Sequence, residues 1–517
     1  MSFIKLLKQQ NLLSLLTQVQ TGIERETLRV GKNNHLSQQP HPQCLGSSLT
    51  HRYITTDFSE ALVELITPVF KDTNQLVSFL AELQHFTCKG LASDEYLWPG
   101  SMPAILDEHI PIAYYGDSNL ARLKQVYRRG LHHRYGSPMQ TIAGLHYNFS
   151  LSDDFWPAYL DSPLAVRYKH YSVSDAYFHL IRNFRRHAWL LIYWFGASPV
   201  FDQSFTHNHL FFESTAYDAY RPYLKPLGKR SLYCPQATSL RMSALGYRNL
   251  NQSAIKLCFN SLDEYIASLY QALAMDCPQY QKIGLLDQYG YKQLNTHLLQ
   301  IENELYGTIR PKQIARNHER PVNALERRGV AYLEVRLLDN NPFNPLGIDK
   351  QAMHLIQLFL LTCLFDRSPT IDEQECDAIE AFQDKMILAG RSPDLDLLNR
   401  AMPFIALMEE LAEALDQNNS NHLFSPLCQT YKQQLSHPEC TLSAQLIAEL
   451  QDNHCDYVDL IADYAYKHKN FLLQKSVDPQ QQTVFSRETE KSLQLQLESE
   501  TSDQRHFEAF RKNYLML

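Results

Sequence analysis

Apolar positions follow two rhythms along this chain. Up to about residue 348, short runs with the alternation of strands are interspersed with helical stretches, and beyond Lys350 the helical period takes over. Four strand-like runs stand out because each carries acidic or metal-binding side chains. They are Gly22–Val30 (GIERETLRV), the stretch from Thr55 to Thr67, Gly144–Ser150 (GLHYNFS) and Tyr332–Leu337 (YLEVRL). Strand residues two apart share a face, so Glu24 joins Glu26, His146 joins Asn148, and Glu334 joins Arg336. Helices are predicted over Asn74–Gly90, with Leu76, Leu80 and Leu83 on one face and Asn74 as its cap, and over Val173–Phe195. Met1–Gln20 reads as one amphipathic helix of the mature protein, without the apolar core and cleavage site of a signal peptide. Leu355–Phe365 reads as a buried helix, too short to span a bilayer. Phe485–Leu517 reads as an exposed amphipathic helix. Pro345, Pro369, Pro393 and Pro403 are expected to punctuate the helical part. The expected organisation is a catalytic region over 1–348 and a mainly helical region over 349–517 packed on it as one continuous unit, with the chemistry placed before residue 350.

Composition narrows the class. With 44% apolar, 11% aromatic and 20% charged residues, the chain has the make-up of a soluble globular protein. A net charge of −8 supplies no field for nucleic acid, and neither nucleic-acid nor membrane binding is expected. The ten cysteines form no CxxC pair or regular spacing, which argues for thiols that are mostly reduced and buried, in a cytoplasmic protein.

The acidic residues are the chemical signal. Burying an unpaired carboxylate is costly, so a strand face bearing several implies counter-charges or metal. Taken alone, Glu24 and Glu26 could belong to an ordinary exposed strand, with Arg25 and Arg29 in surface salt bridges on its other face. Glu64 lies between Val63 and Leu65, a context too apolar for a solvated charge. His146 alone could be a core histidine, and Glu334 and Arg336 a structural ion pair. Oxygen-rich ligands with one imidazole suit magnesium or manganese, and magnesium in such sites is shared with substrate phosphates, which points to ATP. No P-loop, kinase loop or Rossmann fingerprint is present. Among the basic residues, Arg128, Arg241, Arg310, Lys312 and Arg336 could pair with phosphate or carboxylate groups.

The segments GIERETLRV, TTDFSEALVELITP, GLHYNFS, RMSALGY, QIENELYGTIRPK and YLEVRLLDNNPFNP occur in that order between residue 22 and about residue 348. Together they resemble the signature segments of the proteobacterial glutamate–cysteine ligase family. The resemblance implies an α+β, glutamine-synthetase-like carboxylate–amine ligase fold: a curved, mainly antiparallel sheet surrounded by helices, with a helical C-terminal part. It also implies ATP-dependent joining of the L-glutamate γ-carboxylate to the amino group of L-cysteine through γ-glutamyl phosphate, the first step of glutathione synthesis. Implied metal ligands are Glu24, Glu26, Glu64, His146 and Glu334. Arg336 and Arg310 are implied in catalysis and Lys312 in holding the nucleotide. Asp57, Tyr127, Arg128, Asn148, Arg241, Tyr247 and Tyr306 are implied in substrate binding, with the cysteine pocket around Tyr127, Arg128, Arg241, Tyr247 and Tyr306. Glutathione is an expected feedback inhibitor, and a monomer is expected. The residues by themselves reach only metal-dependent phosphoryl transfer or hydrolysis, so a hydrolase or a non-catalytic scaffold derived from an enzyme remain alternatives at this level.

Overall fold

The four runs become neighbouring strands of one antiparallel sheet in the computed structural model. It describes residues 3–516 apart from 208–209, 211, 213–216, 247–254, 317–318, 421 and 504–505. In chain order the strands are β1 (Gln20–Val30), β2 (Ile54–Thr56), β3 (Leu62–Ile66), β4 (Tyr96–Leu97), β5 (Gly144–Ser150), β6 (Val200–Asp202), β7 (Lys225–Leu227), β8 (Ser231–Tyr233), β9 (Leu286–Asp287), β10 (Gly290–Tyr291), β11 (Ile309–Lys312) and β12 (Tyr332–Asp339). The main sheet runs β11-β12-β5-β1-β3-β2, with β4 against the end of β1, while β6–β8 and β9–β10 form two small sheets. Register explains why residues far apart in sequence meet. Glu24 lies opposite His146, Glu26 opposite Glu64, Asn148 opposite Glu334, and Glu334 opposite Arg310. Between Val335 and Leu338 the pairing with β5 slips by one residue, a bulge of the kind that re-aims side chains beside active sites.

The two faces of the sheet differ in chemistry. On the back, Ile23, Val63, Leu65, Leu145, Tyr147, Phe149, Leu333 and Val335 join the largest apolar cluster. Helices Thr73–Gly90, Val173–Phe195 and Lys350–Phe365 supply its other side. Each fully buried large apolar side chain contributes about 1.5–3 kcal/mol, so this layer can hold the sheet while the front carries charge. Arg25 and Arg29 also point backwards. Both are buried, which overturns the reading of them as partners in surface salt bridges: Arg29 pairs with Glu95 at 2.9 Å, and Arg25 bonds to Gln84, Asn340 and the Pro345 carbonyl.

Several element boundaries differ from expectation. The N-terminal helix is two helices, Phe3–Gln9 and Leu13–Leu16, because Asn11 adopts a left-handed conformation between them. Helix Thr73–Gly90 is capped by Asp72, which accepts from the Asn74 N–H, so Asn74 is inside the first turn. Pro403 lies within helix Leu397–Asn419 instead of ending one. The run from 485 onwards divides into Pro479–Ser502 and Phe507–Leu515. The stretch from Thr55 to Thr67 is a hairpin, β2 and β3, which separates Asp57 in the turn from Glu64 in the second strand. Helix Val173–Phe195 forms over the residues predicted, with Ser172 as its cap and Gly196 after it. All ten cysteines are free, and among the described residues no helix is long and apolar enough to cross a membrane.

Candidate active site

The front of the sheet forms the floor of an open cleft of about 350 Å³. Helix Asn119–Tyr135 and the segment around Ile301–Tyr306 form its walls, and Tyr514 of the last helix reaches its edge. Glu24, Glu26, Glu64, His146, Glu334, Arg336, Arg310 and Lys312 all line it.

At one end the carboxylates converge. Glu24 accepts from the Asn148 amide at 2.8 Å and faces His146 Nδ1 at 3.2 Å, while Glu26 accepts from the Gly144 N–H at 2.7 Å and approaches His146 Nε2 at 3.5 Å. His146 is therefore clasped between two glutamates of one strand. Burial opposes charge on Glu24, but the hydrogen bond from His146 keeps its pKa below the ordinary value. Glu64 differs: burial, then the charges of Glu24, Asp57 and Glu26, push its carboxyl well above the usual range. No cation lies within ion-pairing distance of Glu64 among the described residues. Glu24, Glu64 and His146 offer ligand atoms within 4.8 Å of one another. An acidic group crowded by like charges, beside oxygen and imidazole donors, fits a hard divalent cation.

Cations gather beside this end. Glu334, 1% exposed, holds Lys312 at 3.2 Å and Arg336 at 3.0 Å. Burial would raise the Glu334 carboxyl, yet Lys312 and then Arg336 hold it well below its usual range. Burial likewise opposes the charge on Lys312, and Glu334 outweighs it to raise the ammonium above its ordinary value. Arg310 is turned onto the carbonyls of Asn303 and Leu305. Across the cleft, Arg128 donates to the Asp57 carbonyl, lies 3.6 Å from its carboxylate and stacks over Tyr115. Tyr127 and Tyr306 line the same wall, with the Tyr306 hydroxyl 3.2 Å from the Gln140 amide.

Two sequence-predicted residues, Asn148 and Arg241, are placed differently. Asn148 lies under the cleft, fixing Glu24. Arg241 lies behind the wall, 1% exposed, donating to the Arg336 carbonyl at 2.9 Å and facing Asp339 at 3.7 Å. It supports the bulge that aims Arg336. Tyr247 lies outside the described residues. Sequence reasoning also missed lining residues. Lys124 is one helical turn before Arg128, a spacing that could have indicated it. Its ammonium is lowered to about 8, by burial and then by Arg128. Gln140 follows the same helix, and Asn303 and Glu304 fall in the QIENELYGTIRPK segment. Tyr514 has no local signal, and it draws the cleft boundary past residue 350.

This geometry agrees with three comparisons. The family model described as glutamate-cysteine ligase matches residues 4–386. A glutamate–cysteine ligase of Hahella chejuensis is 41% identical over 97% of this chain and 96% of its own length, and one of Baumannia cicadellinicola is 40% identical over 95% and 94%. A crystal structure of glutamate–cysteine ligase from Francisella tularensis in complex with AMP superposes with a TM-score of 0.88 and 32% identity, covering 96% of this chain and 97% of that one. A bifunctional glutathione synthetase from Pasteurella multocida, at 24% identity and TM-score 0.70, shares the fold over 91% of this chain and 54% of its own. With its antiparallel sheet and helical C-terminal part, a family model matched over residues 4–386 and relatives aligned along nearly the whole length, this chain belongs to the glutamate–cysteine ligase family.

Proposed function

We propose that this chain joins the γ-carboxylate of L-glutamate to the amino group of L-cysteine, using ATP and releasing ADP and phosphate. The carrying observation is one cleft with a convergent acidic end, Glu24, Glu64 and His146, set against a cationic end, Lys312 and Arg336. A carboxylate is a poor electrophile, and phosphorylation gives it a leaving group. In this reading Glu24, Glu26, Glu64, His146 and Glu334 hold magnesium, with manganese as a substitute. Bound there, the ions would offset the charge of the triphosphate. Lys312 contacts the ATP phosphates, and Arg336 and Arg310 stabilise charge on the transferring phosphoryl group. Asp57 and Asn148 orient glutamate. Arg128, Tyr127, Tyr306 and Tyr247 take part in binding cysteine, and Arg241 acts through Arg336. Residues 1–348 carry this chemistry, with 349–517 packed on them in one unit that works as a monomer in the cytoplasm.

The test is product analysis. Protein given magnesium, ATP, glutamate and cysteine should yield γ-glutamylcysteine by mass spectrometry, with phosphate release that requires both amino acids. Phosphate released at the same rate without either amino acid would instead indicate a hydrolase.

Two expectations concern ligands. Tyr127→Phe and Tyr306→Phe should raise KM for cysteine severalfold with little change in kcat, because a wall contact made equally in ground and transition states affects binding alone. Steady-state kinetics decides this, and a rise in KM for ATP with none for cysteine would misplace the pocket. Glutathione should inhibit competitively with glutamate, since its γ-glutamyl and cysteinyl parts match both amino-acid sites. Inhibition that saturating glutamate leaves intact would contradict a shared site.

A further inference from the structure

Helix Asn119–Tyr135 turns one face to the cleft, along which Leu120, Lys124, Arg128 and Leu131 recur at helical spacing. Lys124 and Arg128 are therefore neighbours one turn apart, an arrangement that costs stability when both are charged. Both lie over one ring: the Lys124 ammonium is 4.9 Å from the centre of Tyr115, and the Arg128 guanidinium 4.5 Å. Tyr115 is buried and donates its hydroxyl to the carbonyls of Thr56 and Asp57 at 2.7 and 2.8 Å, so this platform is fixed.

The other lysines and arginines lining the cleft have partners within the protein. Lys312 and Arg336 share Glu334, and Arg310 is turned onto the Asn303 and Leu305 carbonyls. Arg128 donates to the carbonyls of Asp57 and Lys124 and lies 3.6 Å from the Asp57 carboxylate. Among the described residues, Lys124 alone of this set has neither a hydrogen-bond acceptor nor an ion pair at Nζ. Glu64 and Asp57 attract it from beyond ion-pairing distance, but burial and then Arg128 oppose its charge more strongly. A half-buried ammonium so placed is matched by an anion that enters the cleft. In the proposed reaction the triphosphate lies with the metal ligands and Lys312, across the cleft. The remaining anionic groups that need a cation are the α-carboxylates of the two amino acids.

We propose that Lys124 anchors the α-carboxylate of an amino-acid substrate, so that the cleft takes the amino acid in preference to the corresponding amine. This rests on the ligase function proposed above. The place of Lys124 beside Tyr127 and Arg128 favours cysteine, and glutamate is the other source of the same group. Lys124→Met keeps the apolar stem over Tyr115 and removes the charge. In the full chain with magnesium and ATP, it should raise KM about tenfold or more for one amino acid, with KM for ATP moving less than about threefold. Lys124→Arg should recover most of that loss. Analogues lacking the carboxylate identify the group: cysteamine replaces cysteine, and 4-aminobutyrate replaces glutamate. For the amino acid that Lys124 holds, the preference over its analogue, as a ratio of kcat/KM, should fall about tenfold in Lys124→Met, whereas general damage to the wall would lower both rates alike. If wild-type protein makes no γ-glutamylcysteine, the ligase reading falls and this inference with it. If wild-type protein is a ligase but Lys124→Met leaves both preferences unaltered, or raises KM for ATP alone, the carboxylate anchor is overturned and the ligase reading stands.

Discussion

Glu64→Gln is expected to lower kcat about a hundredfold while raising the melting temperature of the ligand-free protein. Losing a group that organises transition-state charge costs ~3 kcal/mol, which gives the kinetic figure. The stability effect has the opposite sign because Glu64 is held unfavourably. Burial and the neighbouring carboxylates raise its folded pKa, so the fold binds this proton more tightly than the unfolded chain does. Native stability from this group is therefore present at low pH and lost as pH rises from the unfolded value through the raised one, and at neutral pH an ionised Glu64 is a liability. A neutral amide removes it. Glu334→Gln should lose turnover to a similar extent but lower the melting temperature, since Lys312 and Arg336 would lose their buried partner. Thermal melts and steady-state rates on both variants read this directly. Near-normal turnover in both would sink the proposed metal site.

The second large effect is expected at Gly144. A Cβ there would lie 1.9 Å from Arg241 Nη2 and 2.3 Å from its Cζ, and Arg241 has little freedom to withdraw. It is held by the Arg336 carbonyl and faces Asp339, which is itself fixed by Ser198, Ser239 and the Ala197 N–H. Gly144→Ala should cost about 1–3 kcal/mol of stability, as overpacking does. It should also cost roughly a hundredfold in kcat, because the displaced guanidinium moves the bulge that aims Arg336, and the same backbone N–H positions Glu26. Gly31→Ala is the control, since nothing lies within 4 Å of its Cβ position. Equal melting temperatures and rates for the two variants would show that the support behind Arg336 is dispensable.

What could be read from the sequence depended on local patterning. The alternation around Glu24, His146 and Glu334 marked the strands and their polar face, because period-two burial is written residue by residue. Strand order and register were not legible, since the pairing of Glu26 with Glu64 or Arg310 with Glu334 is set by tertiary packing. Arg25 and Arg29 misled for the same reason: strongly charged residues suggest solvent unless their buried partners, Gln84 and Glu95, can be seen. Helix Val173–Phe195 was legible through its cap and terminal glycine, while the break at Asn11 turns on one left-handed residue that propensity does not specify. Arg241 was singled out for its motif, but its position behind Arg336 follows from the bulge in β12. Tyr514 could not have been placed on the cleft from its own neighbourhood.

The measurement that tests the account most directly follows the acceptor oxygen. If glutamate is activated as γ-glutamyl phosphate in the cleft, the oxygen that attacks the ATP phosphorus must leave with inorganic phosphate when the cysteine amine takes its place. Glutamate labelled with ¹⁸O in the γ-carboxylate should therefore transfer one label per turnover to phosphate, read by mass spectrometry alongside γ-glutamylcysteine. Dipeptide formed with unlabelled phosphate would contradict the proposed route.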